Sequence, residues 1–78
     1  MTTPLDNVEV KISKNIAMST ALEMLSEAFK KTATRATITS VRQYIYSIET
    51  MFPKDIILGL YDLLSRIEMY QLKYNDKY

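Results

Sequence analysis

In the carboxyl-terminal third of the sequence, apolar residues recur at alternating steps of four and three positions. The series is Ile56, Leu60, Leu63, Ile67, Tyr70 and Tyr74. Because an α-helix has about 3.6 residues per turn, this spacing places all six side chains along one side of a helix. A series kept over nearly three heptads is typical of helices that pack against other helices. It predicts a long helix from Pro53 to about Lys73.

Two shorter segments repeat this spacing. A helix from about Asn15 to Lys31 carries the series Met18, Leu22, Leu25 and Phe29. A second helix, from Thr37 or Thr39 to about Met51, carries the series Ile38, Val41, Ile45, Ile48 and Phe52. Pro53 ends this second helix because proline cannot continue one. With one glycine and two prolines, the sequence also has few turn residues for an all-β fold.

The first fourteen residues are expected to form an extended arm ahead of a helical domain of residues 15–78. Val8 to Ile12 alternate apolar and charged side chains, which is the period of a half-buried strand. A lone strand leaves its backbone groups without partners, so the segment either pairs between subunits or packs as an arm. The predicted fold is all-α, a three-helix bundle-like domain with an extended N-terminal arm.

A chain of 78 residues has a small hydrophobic core. A core of this size supplies roughly 3–5 kcal/mol of net stability, and small domains usually add a disulfide, a metal ion or a partner. The sequence contains neither Cys nor His, which removes disulfides and the usual ligands of structural zinc. We therefore expect a homo-oligomer, at least a dimer.

The third predicted helix is apolar on a second side. Opposite its main series lie Leu58, Tyr61, Met69 and Leu72. Either this helix is buried on both sides within the bundle, or the second side is an interface with another chain. Gly59 costs about 1 kcal/mol inside a helix, so the close approach of another backbone would explain its presence.

Three tyrosines near the end of the sequence allow two interpretations. Tyr70, Tyr74 and Tyr78 either cap the end of the bundle or anchor a second chain. Tyrosine suits an interface because it is large and combines an apolar ring with a polar hydroxyl. The predicted protein interface consists of Leu58, Tyr61, Met69, Leu72, Tyr74 and Tyr78.

The link between the first two helices combines cations with threonines. Its candidate nucleic-acid contacts are Lys30, Lys31, Arg35, Arg42 and Gln43. A short link followed by a helix with exposed polar residues is what a helix-turn-helix reader of DNA requires. Against that interpretation, the net charge is only +1, and the link contains no glycine. Helix capping and compensation of the helix dipole explain most of these residues without a ligand.

Several classes of protein are not expected. Without His or Cys the sequence has no ordinary general base near neutral pH and no thiolate nucleophile, and its single glycine forms no phosphate-binding loop. We expect no enzymatic activity, no cofactor and no metal. The first residues do not resemble a signal peptide, and no apolar run approaches the roughly 20 residues of a membrane span. A cytoplasmic protein without membrane contact is expected.

These features favour a small helical protein–protein interaction module that binds another protein through helix three and its tyrosines. Regulators and inhibitors are the commonest proteins of this kind. Small accessory proteins of viruses and mobile elements share this length and this bias toward Ile, Lys and Tyr. The alternative is a small DNA-binding transcriptional regulator that uses residues 30–46. Salt separates the two functions, because binding to phosphates weakens steeply with salt and apolar docking does not.

Overall fold

In a computed structural model of the chain, the backbone is described for residues 4–78 and the side chains for residues 13–78. This part forms three α-helices, α1 (Pro4–Phe29), α2 (Arg35–Ser47) and α3 (Lys54–Tyr74), and contains no strand. A short 3-10 turn, Glu49–Met51, lies between α2 and α3. The all-α fold of three helices predicted from the sequence is confirmed, and the observed bounds of α3 differ by one residue from the predicted ones.

The extended N-terminal arm is not confirmed. Helix α1 begins at Pro4, so the backbone of residues 4–14 is helical and the expected boundary between residues 14 and 15 lies inside a helix. The physical reason is that a helix pairs its backbone groups internally, whereas residues 4–78 offer an extended segment no strand to pair with. Residues 1–3 of the expected arm lie outside the described residues.

Helix α2 begins at a cap built from two threonines. The Thr34 hydroxyl accepts a hydrogen bond from the Thr37 backbone amide at 3.3 Å, and the Thr37 hydroxyl accepts one from the Thr34 amide at 3.1 Å. This reciprocal pair satisfies two backbone donors that have no partner inside the helix. The helix therefore starts at Arg35, two to four residues before the predicted start.

Helix α3 follows a break at proline, as the sequence predicts. Phe52 is extended, and the Pro53 carbonyl accepts hydrogen bonds from the amides of Ile56 and Ile57 at 3.1 and 3.2 Å. Pro53 thus stands immediately before the helix rather than as its first residue. The fixed backbone angle of proline separates the 3-10 turn from α3 and sets the direction in which α3 leaves it.

The three helices run up, down and up. The Phe29 ring at the end of α1 lies 4.8 Å from the Tyr70 ring near the end of α3, so these two helices are parallel. Along α2 the order reverses, because Arg35 contacts Tyr78 and Arg42 contacts Glu68. Each helix packs against both of the others. In residues 4–78, no helix is both long enough and apolar enough to cross a membrane.

The core contains the predicted series of α2 but different sides of α1 and α3. Ile38, Val41 and Ile45 of α2 are buried, as predicted, and so is Ile48, which directly follows the helix. The buried residues of α1 are Ala17, Ala21, Leu25 and Ala28, and those of α3 are Ile57, Leu60, Leu64, Ile67 and Gln71. Leu25 and, in part, Met18 of the predicted α1 series contribute to the core, as do Leu60 and Ile67 of the predicted α3 series.

The remaining members of those two series lie at the surface. Six large side chains are exposed, namely Leu22, Phe29, Ile56, Leu63, Tyr70 and Tyr74. The reason lies in the alanines of α1. Because their side chains are small, the neighbouring helices approach α1 most closely on the side that carries the alanines, and that side forms the contact. The larger side chains are displaced to the edges of the contact. The expectation that Leu22, Phe29, Ile56 and Leu63 pack between the helices of the bundle is therefore wrong, whereas the assignment of Tyr74 to a protein interface stays a prediction.

Candidate protein interfaces

An apolar groove follows the line where α1 and α3 meet. Its walls are Leu22 and Phe29 of α1 and Leu63 and Tyr70 of α3, and we call it the α1–α3 groove. It is open to solvent and encloses about 600 Å³. Ile56 and Tyr74 extend its α3 wall in both directions, since they stand seven residues before Leu63 and four after Tyr70. The groove thus consists of large apolar side chains that the three-helix packing does not cover.

Aromatic rings form one end of this groove. The rings of Phe29 and Tyr70 are stacked, with centroids 4.8 Å apart and planes inclined by 18°. Tyr74 continues the row, its centroid 5.0 Å from that of Tyr70 at a tilt of 45°. The Lys73 ammonium lies 5.3 Å from the Tyr74 centroid. The stack holds the rings in fixed positions at the surface, which lowers the entropy lost when another molecule covers them.

Charged residues beside the groove form pairs within single helices or links. The Lys30 ammonium lies 2.7 Å from a Glu27 carboxylate oxygen, and Arg66 Nε lies 3.1 Å from an Asp62 carboxylate oxygen. All four side chains are largely exposed, so each pair contributes at most a few tenths of a kcal/mol. Their importance is in fixing where opposite charges stand along the groove.

A second apolar surface lies on the outer side of α3, and its Met69 and Leu72 adjoin Tyr70 and Tyr74 of the aromatic row. Leu58, Met69 and Leu72 are 58%, 70% and 59% exposed, and we call them the outer stripe. Three of the six predicted interface residues are therefore accessible to a partner on this side of the helix. Tyr74 is also accessible but belongs to the aromatic row. Tyr61 and Tyr78 instead pack against the core, so those two tyrosines do not lie freely at the surface.

Tyr78 folds back onto the bundle and meets α2. The Arg35 guanidinium lies 5.8 Å from its ring centroid. Burial raises the pKa of the Tyr78 phenol above its ordinary value of 10.0, and the neighbouring Glu68 carboxylate raises it further. The pKa of Tyr61 is raised as well, first by burial and then by Glu49. Both phenols are therefore held in their neutral form more firmly than a free tyrosine.

A polar contact joins the ends of α1 and α3. Gln71, which is 1% exposed, donates from its side-chain amide to the carbonyls of Ala28 and Lys30 at 2.7 and 2.8 Å. Asn75 donates to the Lys31 carbonyl at 3.1 Å and to the Gln71 side-chain oxygen at 2.8 Å. Sequence reasoning missed this contact. Its signal was a polar residue four positions after Ile67 and seven after Leu64, in the middle of an apolar series.

The candidate nucleic-acid contacts are spread over two elements and are partly paired. Lys30 pairs with Glu27, and an Arg42 guanidinium nitrogen lies 3.6 Å from a Glu68 carboxylate oxygen. Arg35 contacts the Tyr78 ring. Lys31 and Gln43 are exposed. Arg35 and Arg42 are thus directed toward α3, although neither is buried.

Gly59 is not packed against another part of the same chain. A Cβ atom built on it has no neighbour within 4 Å in the described part of the molecule, apart from adjacent backbone. The expectation that another backbone approaches it is therefore not met within one copy of the chain. Gly59 stands four residues before Leu63 and seven before Arg66, on the side of α3 that borders the groove.

No protein-family model, curated protein or solved structure matches the chain. Within the described residues, no group of three acidic side chains is close enough together to hold a metal ion. Proposals about function consequently depend on the two apolar surfaces, the charges beside them and the polar contact of Gln71.

Proposed function

We propose that the chain is a small helical protein–protein interaction module that acts in the cytoplasm as a regulator or inhibitor of another protein. The observation that carries this proposal is the outer stripe, where three large apolar side chains of one helix are each more than half exposed. Homo-oligomer formation accompanies this function. An origin among viral or mobile-element accessory proteins is compatible with its size and composition.

The composition of the outer stripe supports a protein partner. Leu58 and Leu72 stand fourteen residues apart, which is about 21 Å along a helix, and Met69 lies between them. That length matches an apolar groove or helix on another protein rather than a small molecule. Complete burial of a Leu or Met side chain contributes about 1.5–3 kcal/mol, so three of them are sufficient to anchor a complex. The flexible Met69 side chain adapts to the shape of the partner.

A comparison of two triple variants tests this function. The chain with Leu58→Lys, Met69→Lys and Leu72→Lys loses the stripe, whereas Ser40→Lys, Gln43→Lys and Ser47→Lys add the same charge at exposed positions of α2. Proteins captured from native lysate with nuclease are then quantified by mass spectrometry. We expect partners that bind the wild type and the control but not the stripe variant. Equal capture by all three chains would reject the outer stripe as the binding surface.

DNA binding remains the alternative function, and the ion pairs of Lys30 and Arg42 weigh against it. A phosphate would have to replace Glu27 and Glu68 as the partner of these cations. A gel shift on duplex DNA at low salt tests this alternative. We expect little or no retardation. Tight, sequence-selective retardation that is lost with Arg35→Ala and Arg42→Ala would establish the DNA-binding function instead.

A further inference from the structure

We infer that the α1–α3 groove is the surface through which two copies of this chain associate, face to face and antiparallel. The inference rests on the homo-oligomer part of the proposed function and specifies its surface and geometry. It does not use the outer stripe, of which Leu58 lies away from the groove while Met69 and Leu72 adjoin Tyr70 and Tyr74 at its aromatic end. In the dimer, α1 packs against the partner's α1 and α3 against the partner's α3.

The area of the groove is sufficient for a symmetric dimer. Leu22, Phe29, Ile56, Leu63, Tyr70 and Tyr74 are between 41% and 63% exposed. Since a fully buried aromatic residue covers about 150–250 Å² and an aliphatic residue less, these three aromatic and three aliphatic side chains, each about half exposed, provide roughly 500 Å² per copy and about 1,000 Å² for a pair. Specific interfaces begin at about this size. The outer stripe offers half as many large side chains, and it is less suited to hold two small domains together.

The spacing along α3 is that of a helix made to pack against another helix. Ile56, Leu63 and Tyr70 recur every seven residues, and all three are exposed to a similar extent. A heptad repeat keeps one line of side chains facing a neighbouring helix over its whole length. On α1, Leu22 and Phe29 are also seven residues apart. Large apolar side chains therefore recur every seven residues on both walls of the groove.

A two-fold axis midway between Leu63 and Tyr70 gives complementary contacts. Leu63 of one copy then lies opposite the partner's Tyr70, and Leu22 lies opposite the partner's Phe29. Gly59, four residues before Leu63, lies opposite the partner's Tyr74, four residues after Tyr70. The open space at Gly59 accommodates that tyrosine ring, which explains a glycine that no packing within the chain requires.

The charges beside the groove favour the antiparallel orientation. In that orientation Asp62 and the partner's Lys73 come within two residues of the same level, about 3 Å along the helix. A parallel pair would instead place Lys73 beside the partner's Lys31, because Tyr70 and Phe29 mark one level of the groove. Arg66 lies near the two-fold axis, where its charge is offset by Asp62 at 3.1 Å. The antiparallel orientation thus brings Asp62 near the partner's Lys73, whereas the parallel one brings two lysines together.

Sedimentation equilibrium of the purified chain tests the dimer directly. The monomer has a mass of 9.1 kDa, and we expect about twice this value at micromolar concentrations. Leu63→Lys should raise the dissociation constant at least tenfold, whereas Leu58→Lys on the outer stripe should leave it unchanged. A wild-type mass of 9.1 kDa would overturn the inference, whether the groove binds another protein, an apolar small molecule or nothing.

A variant at Gly59 separates loss of the dimer from loss of folding. Gly59→Gln favours the helix because it removes a glycine from its interior, and the open space around Gly59 admits the new side chain in one copy. It should raise the melting temperature of the monomer while weakening the dimer at least tenfold. The control Ser65→Gln changes another small, exposed residue of α3 away from the groove. Unaltered dimerisation in Gly59→Gln would exclude the proposed register.

Mixing two charge variants tests the orientation. Asp62→Lys alone and Lys73→Asp alone each place like charges opposite one another in an antiparallel homodimer. Mixed together, they restore opposite charges at both sites, so native mass spectrometry should find mainly the heterodimer. A statistical mixture of homodimers and heterodimers would rule out the antiparallel pairing. Because these measurements use the purified chain and the outer stripe is tested by capture from lysate, either proposal can fail while the other stands.

Discussion

The side-chain amide of Gln71 donates a 2.7 Å hydrogen bond to the carbonyl of Ala28, in the last turn of a helix 43 residues earlier. Carbonyls in the last turn of a helix have no partner within it. Gln71 supplies that partner from α3 and also reaches the Lys30 carbonyl at 2.8 Å. Among the described side chains it is the one buried polar group. The backbone carbonyl of Ala28 at the end of α1 therefore has its hydrogen-bond donor on another helix rather than on α1 itself.

Replacing Gln71 by methionine should destabilise the fold by about 1–3 kcal/mol. Met keeps the volume but removes the two hydrogen bonds donated to carbonyls, each with a net value of about 0.5–1.5 kcal/mol, together with the one accepted from Asn75, and it leaves the Ala28 carbonyl without this donor. Urea denaturation followed by circular dichroism measures the change. The same substitution at exposed Gln43 is the control and should have little effect. A Gln71→Met chain as stable as the wild type would show that water replaces the amide.

Two adjacent leucines of α3 should respond very differently to truncation. Leu64 is 1% exposed and Leu63 is 42% exposed. Leu64→Ala should cost about 2–5 kcal/mol, enough to unfold most of a domain of this size, as should Ile45→Ala in α2. Leu63→Ala should cost less than half as much in the monomer. Thermal melts at concentrations below the dimer range provide the comparison, and the reverse order would place the core on the opposite side of α3.

The threonine pair at the start of α2 should contribute measurably to stability. Thr34→Ala removes the hydroxyl that accepts from the Thr37 amide, and loss of such a cap typically costs about 1 kcal/mol. For a domain of 60–100 residues this lowers the melting temperature by roughly 4–8 °C. Thr32→Ala changes an exposed threonine in the same link and serves as the control. Equal melting temperatures for the two variants would mean that the cap does not stabilise α2.

Stability should fall at alkaline pH because of Tyr78. Its pKa in the folded chain is above the ordinary 10.0, so the folded state holds the phenolic proton more tightly than the unfolded state. The contribution is fully present below pH 10 and is lost as the pH rises through the folded-state pKa. Denaturation measured between pH 9 and 11.5 should show a smaller decline for Tyr78→Phe than for Tyr46→Phe, an exposed control. Identical declines would remove Tyr78 as the cause.

The sequence predicted the buried side of α2 correctly, although the helix ends at Ser47 rather than near Met51, because α2 has a single apolar side. Ile38, Val41 and Ile45 recur at steps of three and four, and no second series competes with them. On α1 and α3 the apolar arc is wider than the surface that two neighbouring helices cover. Periodicity identifies such an arc but does not determine which part of it is buried. The close approach allowed by the alanines of α1 determines it, and alanine contributes little to a hydrophobic pattern.

The polar contact and the groove could be predicted only in part. Gln71 interrupts an apolar series, which marks it as unusual, but its acceptors lie more than 40 residues away and have no signature in the sequence. The sequence places the six large side chains of the groove in two apolar series, two of them on α1 and four on α3, but it does not show which side of either helix is buried. Their exposure depends on how far α1 and α3 turn about their own axes, which becomes fixed only when all three helices pack.

The 43-residue separation between Gln71 and Ala28 also determines when in folding their contact forms. Five residues join α1 to α2 and six join α2 to α3, so we expect the two hairpins to close first, over short loops, and α1 to reach α3 afterwards. A contact made after the transition state changes the rate of unfolding and leaves the rate of folding nearly unaltered. In stopped-flow experiments, Gln71→Met should therefore raise the rate of unfolding, whereas the rate of refolding should stay at the wild-type value. We therefore expect Gln71 to slow unfolding and so to lengthen the lifetime of the folded chain.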